Sequence, residues 1–192
     1  MIMSGVTSSE RKRIHPHKFT LWVGLGSIIM MFAGLTSAYV VRKSQANWLE
    51  FSLPGIFWYS TLVILISSAT IHMSLQAFKA RRMGRYKNLL SLTVLLGLLF
   101  GVLQWIGFGS LQLHGVKIFG TGSNPSASFL GIIVGLHVLH VLGGIVALLV
   151  LFFRSFRSRV RSYSSVPVEI VSTYWHFVDI LWIYLFIFLS VV

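Results

Sequence analysis

Ser128–Phe153 reads SFLGIIVGLHVLHVLGGIVALLVLFF, a run without a single Lys, Arg, Asp or Glu. A bilayer's hydrocarbon core is about 30 Å thick and a helix rises about 1.5 Å per residue, so about 20 mainly apolar residues span it. Four further runs reach that length: Phe19–Val41, Ile56–Phe78, Leu89–Leu111 and Val168–Val192. None shows the alternation of a transmembrane β-strand. The fold predicted is all-α: an integral membrane five-helix bundle, one transmembrane domain over residues 1–192, entered through a basic tail of residues 1–18.

Composition agrees. Hydrophobic residues make up 55% of the 192 and charged residues 10%, where a soluble domain carries about 25% charged. The net charge is +12. That balance raises nucleic acid as a partner, but the cations sit in short clusters between apolar runs, as membrane-flanking charge does. No nucleic-acid partner is expected. With no Cys there is no thiolate metal site and no cysteine nucleophile.

The clusters set the topology. Arg11, Lys12, Arg13 and Lys18 precede the first run. Lys79, Arg81, Arg82, Arg85 and Lys87 follow the second, and Arg154, Arg157, Arg159 and Arg161 follow the fourth. These thirteen fall on one side, against Arg42, Lys43 and Lys117 on the other. The positive-inside rule puts the N-terminus in the cytoplasm and the C-terminus outside. Ser164-Ser165 before Val166-Pro167 signals the start of the last helix, and Glu169 in its first turn complements the helix dipole. His114–Ala127, rich in Gly and Ser, reads as an irregular external loop.

Gly97 with Gly101, and Gly131 with Gly135, have the four-residue spacing that lets helices approach closely in lipid. Polar residues inside spans need partners. His137 and His140 share a face of the fourth helix, and His176 and Asp179 a face of the fifth. Asp179 is the one carboxylate deep in a span, so it should pair with a His of the fourth helix, His140 before His137. Three readings of this set stand: a hydrogen-bonded structural network, a proton relay, and a bis-His haem site. His72, near the inner end of the second helix, faces headgroups or a partner subunit.

Tyr174-Trp175-His176-Phe177-Val178-Asp179-Ile180-Leu181-Trp182, preceded by Val168-Glu169, closely resembles the last-helix signature of subunit III of the haem–copper oxidases, the cytochrome c oxidase subunit III family. Gly135-Leu136-His137-Val138-Leu139-His140 with Gly143-Gly144 is similar to its preceding helix. Met30-Met31-Phe32-Ala33-Gly34-Leu35, continuing to Tyr39, resembles the first helix of its short five-helix members, and Phe57-Trp58-Tyr59-Ser60-Thr61 with Ser67-Ser68 the next. Where many members carry Glu in the first helix, Ile28 follows Ser27, and an apolar side chain cannot titrate.

The resemblance implies a non-redox subunit of a proton-pumping terminal oxidase in the aerobic respiratory chain. No haem or copper is expected in this chain; both belong to partner subunits. The family packs against the catalytic subunit I, alongside subunit II, and a respiratory supercomplex is a further expected setting. It binds phospholipid and supports proton uptake and turnover stability. The complex reduces oxygen with electrons from cytochrome c, or from quinol in some relatives. A bacterial-type inner membrane is the expected location, with the chain crossing it several times. A proton-linked transporter and a bis-His haem protein are the competing classes. The resemblance also implies a two-helix group and a three-helix group separated by a lipid cleft, lined or braced by His137, His140, Glu169, His176 and Asp179. Headgroups are expected near Arg81, Arg82 or His72, with tails against the first two helices.

Overall fold

The computed structural model describes residues 16–43, 54–113, 125–157 and 164–191. The tail before residue 16 and most of the expected external loop lie outside them. Five helices follow in order: α1 (Pro16–Lys43), α2 (Ile56–Lys79), α3 (Met83–Leu113), α4 (Pro125–Arg157) and α5 (Val166–Val191). All five are long and apolar enough to cross a membrane. The chain is all-helical among the described residues, as its sequence predicts.

Helix starts follow the prolines. Pro16 opens α1, Pro125 opens α4, Pro167 sits in the first turn of α5, and Pro54 precedes Gly55, the N-cap of α2. Proline's fixed φ suits a first turn, where its missing N–H has no partner to lose. The helices outrun the apolar runs because hydropathy reports the hydrocarbon segment, whereas a helix continues until something stops it. The clearest case is α3, expected from Leu89 and observed from Met83. Its early start comes from a tight turn after α2. Arg82 N donates to the Ala77 carbonyl at 3.0 Å and Arg81 N to that of Phe78 at 3.0 Å. This 6→1 and 5→2 pair ends a helix through a left-handed residue, and Arg81 takes that place at φ 58°.

α2 and α3 form the closest pair. The seam of α2 repeats every seven residues: Phe57, Ile64 and Ile71 are buried, interleaved with buried Ser60, Ser67 and Ser74. On α3 Tyr86, Leu90, Thr93, Gly97, Phe100 and Gln104 are buried at matching three- and four-residue steps. Small serines in every second layer let the backbones approach, the membrane version of a coiled-coil seam. α4 packs on α3 and α5, and α5 packs on α2, closing a four-helix ring.

The ring closes on one side chain. Trp175 of α5 is fully buried. A Cβ on Gly97 of α3 would lie 2.9 Å from its ring, and one on Gly144 of α4 would also lie 2.9 Å away. Trp175 Nε1 donates to Ser67 Oγ of α2 at 3.1 Å. One indole therefore touches all three neighbours.

Two expectations are corrected here. The glycine pairs do not act as pairs: Gly97 meets Trp175, while a Cβ on Gly101 or Gly135 would meet nothing within 4 Å. The critical glycines are those facing the indole, which spacing within one helix cannot reveal. Nor do the first two helices form a group of their own. α1 packs on α4 and α5 and makes no close approach to α2. Its buried Phe32 and Tyr39 join Ile133 of α4 and Leu181 and Leu185 of α5 in a separate apolar cluster, with Ile28 packed against it. α2 is instead taken up by α3 and α5 through its serine seam.

Overpacking a close helix contact costs about 1–3 kcal/mol. Gly97→Ala and Gly144→Ala should each destabilise the bundle by that amount and so lower the thermal unfolding midpoint in detergent. Gly101→Ala and Gly135→Ala should leave it unchanged or slightly raised. Equal losses at all four positions would contradict the wedge.

Candidate functional site

α2 carries a column of hydroxyls, and α3 and α5 answer it layer by layer. Gln104 Nε2 donates to Ser60 Oγ at 3.1 Å. Trp182 Nε1 donates to Thr61 Oγ1 at 3.0 Å. One heptad along, Trp175 reaches Ser67, and Ser68 Oγ lies 2.6 Å from His176 Nδ1. The hydroxyls of Thr70 and Thr93 are 2.9 Å apart. In lipid such bonds orient helices that hydrophobicity cannot sort.

The candidate residues distribute around this frame. His137 is sealed in the core, stacked on Trp182 at 5.2 Å between ring centroids and edge-on to Phe100. Neither of its ring nitrogens has a hydrogen-bond partner. His140 turns towards α1, edge-on to Phe32 at 5.9 Å. Its Nδ1 donates to the Leu136 carbonyl one turn earlier at 2.6 Å, while its own carbonyl accepts from Tyr174 Oη at 3.0 Å. His176 looks out past Ser68 to His72, 6.0 Å away between ring centroids. Gln76 Nε2 donates to His72 Nε2 at 3.0 Å.

Asp179 departs from expectation. It does not pair with His140. Asp179 lies four residues after Trp175 and three before Trp182, so it shares their inward face and points at the α2 side. His140 looks the other way, at α1. Both carboxyl oxygens are buried without a hydrogen bond of their own; their polar neighbour is the Ser68 hydroxyl, which also lies 2.6 Å from His176 Nδ1. His137, His140 and Glu169 thus sit in separate contacts, while His176 and Asp179 both lie beside Ser68.

The ionic centre sits at one end of the bundle. Glu169, in the first turn of α5, accepts from Lys18 Nζ of α1 at 2.6 Å and from Lys79 Nζ of α2 at 3.1 Å. Lys18 takes Oε2 and Lys79 takes Oε1, and Ser165 Oγ also donates to Oε1 at 3.1 Å. Two helices that do not touch each other are joined here through a third. The bridge also places the start of α1, the end of α2 and the start of α5 at the same end. Lys87 of α3 lies 5.0 Å over the Phe156 ring of α4, which adds the other two helices to that end. The described cations Lys18, Lys79 and Lys87 therefore share one end, as their sequence positions require.

The histidines face different elements: His140 turns to Phe32 of α1, His176 to His72 of α2, and His137 stacks on Trp182. Among the described residues no three His, Cys, Asp or Glu side chains gather as metal ligands would. The geometry defines a polytopic membrane subunit whose polar residues hold helices together.

Residues 50–191 match the protein family described as Cytochrome c oxidase subunit III. The probable cytochrome c oxidase subunit 3 of Mycobacterium tuberculosis is 34% identical over 191 residues, covering 96% of this chain and 91% of its own. The cytochrome c oxidase subunit 3 of Corynebacterium diphtheriae is 32% identical, covering 86% of this chain and 82% of its own. That of Bacillus sp. PS3 is 29% identical, covering 86% and 80%. The chain belongs to the cytochrome c oxidase subunit III family.

The isolated position of Asp179 has a measurable consequence. A buried polar group whose hydrogen bonds are unmade carries a desolvation cost that an apolar side chain does not. Asp179→Leu should therefore unfold at or above the wild-type temperature; a loss of several degrees would reveal an ion pair. For Glu169, partly exposed, a double-mutant cycle with Lys18 should give about 0.2–1 kcal/mol, shrinking as salt rises. A coupling indifferent to salt would contradict a solvent-reachable bridge.

Proposed function

We propose that this chain serves as the non-redox subunit III of a proton-pumping terminal oxidase, packed against the catalytic subunit I beside subunit II. Haem and copper reside in those partners, which carry out oxygen reduction. The observation that carries the reading is the agreement between the family match and the frame of the bundle. The last-helix motif supplies Trp175, His176 and Trp182, which tie α5 to the hydroxyl column of α2. The basic end faces the cytoplasm, by the positive-inside rule, in a bacterial-type inner membrane.

The subunit's contribution is to hold lipid and so to sustain proton uptake and turnover. α1 and α2 both pack on α5 without close approach to each other, which leaves a slot floored by α5 and crossed at its basic end by Lys18, Glu169 and Lys79. His72 and His176 border this slot on the α2 side. Acyl chains lie in it, against the first two helices, with His72 and Arg81 near the headgroup level, whereas Arg82, expected with them, turns to a cavity on the α3 side of α2. Ile28 is half-buried against the α1 cluster, so no titratable group occupies that position of α1.

The test is purification from native membranes. The chain should co-purify with a haem- and copper-bearing subunit, and removing it should leave the haem and copper spectra of the remaining complex intact while hastening inactivation during turnover. Loss of a haem with this subunit, or purification free of any oxidase, would overturn the reading.

A further inference from the structure

Resting on the membrane placement above, we infer that the turn between α2 and α3 holds an anionic phospholipid headgroup in a site of its own, separate from the α1/α2 slot. A cavity of about 340 Å³ opens there, with Arg82, Arg85 and Gln76 at its polar edge and Met73, Ala80 and Leu89 along its apolar wall. Pockets that hold small ligands start at about 300 Å³.

The cations of this turn divide by what they already touch. Lys79 is bound to Glu169, and Lys87 lies over Phe156. Arg82 and Arg85 instead line the cavity, which no acidic side chain shares. Two planar guanidiniums on one opening match a phosphate better than ammonium groups would, because each can donate two parallel hydrogen bonds. The first turn of α3, starting at Met83, adds the positive end of a helix dipole. Met73 and Leu89 lie on the membrane side of the arginines, on helices that continue into the bilayer. A free phosphate would leave that wall bare, whereas a diacyl phospholipid covers it with the first carbons of its chains. His72 does not line this cavity; it faces His176. The site therefore lies on the α3 side of α2, and the slot on its α5 side.

The experiment uses the detergent-purified oxidase complex, stripped of loosely held lipid and titrated with dioleoyl-phosphatidylglycerol while bound lipid is counted by native mass spectrometry. Each cation near a headgroup is worth about a fivefold change in affinity, so Arg82→Gln/Arg85→Gln should weaken the tightest lipid by about thirtyfold. Arg154→Gln, an exposed cation of α4 away from the cavity, should not. Leu89→Asn should weaken the lipid as well, and inorganic phosphate should fail to displace it. Haem content of each preparation reports assembly separately, so a failed complex cannot be mistaken for a failed site. If Arg82→Gln/Arg85→Gln unfolds, the comparison passes to the single substitutions, each expected to weaken binding about fivefold. Wild-type retention in the arginine variants, or displacement by inorganic phosphate, would overturn the proposal.

Discussion

The bundle depends on one indole. In lipid, helices gain nothing by hiding apolar surface from water, so association must come from close packing and from hydrogen bonds between helices. Trp175 supplies both. Its ring fills the space left by Gly97 and Gly144, and its N–H reaches Ser67. Seven residues on, Trp182 repeats the device: it stacks on His137 and donates to Thr61. These two layers fix how α5 is rotated, and with it where His176, Asp179 and Glu169 point. The histidine singled out as a possible ligand, His137, is in this setting a flat ring that completes an aromatic stack.

α1 is attached by different means. It shares an apolar cluster with α4 and α5, one hydroxyl pair between Thr36 and Tyr184 at 2.9 Å, and the Lys18 bridge to Glu169. Among the described residues, α1 makes no close approach to α2. The helices thus divide into a locked four-helix ring, α2 to α5, and a side helix, α1, held along one edge.

Helix number, class and the common end of Lys18, Lys79 and Lys87 were legible in the sequence, because span length and charge placement are one-dimensional signals. The last-helix motif, from Tyr174 to Trp182, pointed to the family. Contacts between helices were harder. The Gly97–Gly101 spacing was visible, but which glycine faces a neighbour depends on rotation about the helix axis, which Trp175 sets from another helix. The pairing of Asp179 with His140 failed for the same reason, since depth can be counted along a chain and azimuth cannot. The grouping of α1 with α2 came from the resemblance, and it failed because α2 is taken up by α3 and α5 while α1 packs on α4 and α5. One signal was available and passed unused: Ser60, Ser67 and Ser74 interleaved with Phe57, Ile64 and Ile71 already mark a seven-residue seam. The Lys18–Glu169–Lys79 bridge joins residues far apart in the chain and had no local signature beyond Glu169 itself.

The most direct measurement of this account is thermal unfolding of Trp175→Ala in detergent, followed separately by probes on α1 and on α2–α5. Removing a fully buried tryptophan costs about 3–5 kcal/mol. The account requires α2, α3, α4 and α5 to lose their packing together at a lower temperature. A midpoint close to wild type, or release of α5 alone while α2–α4 stay packed, would contradict it.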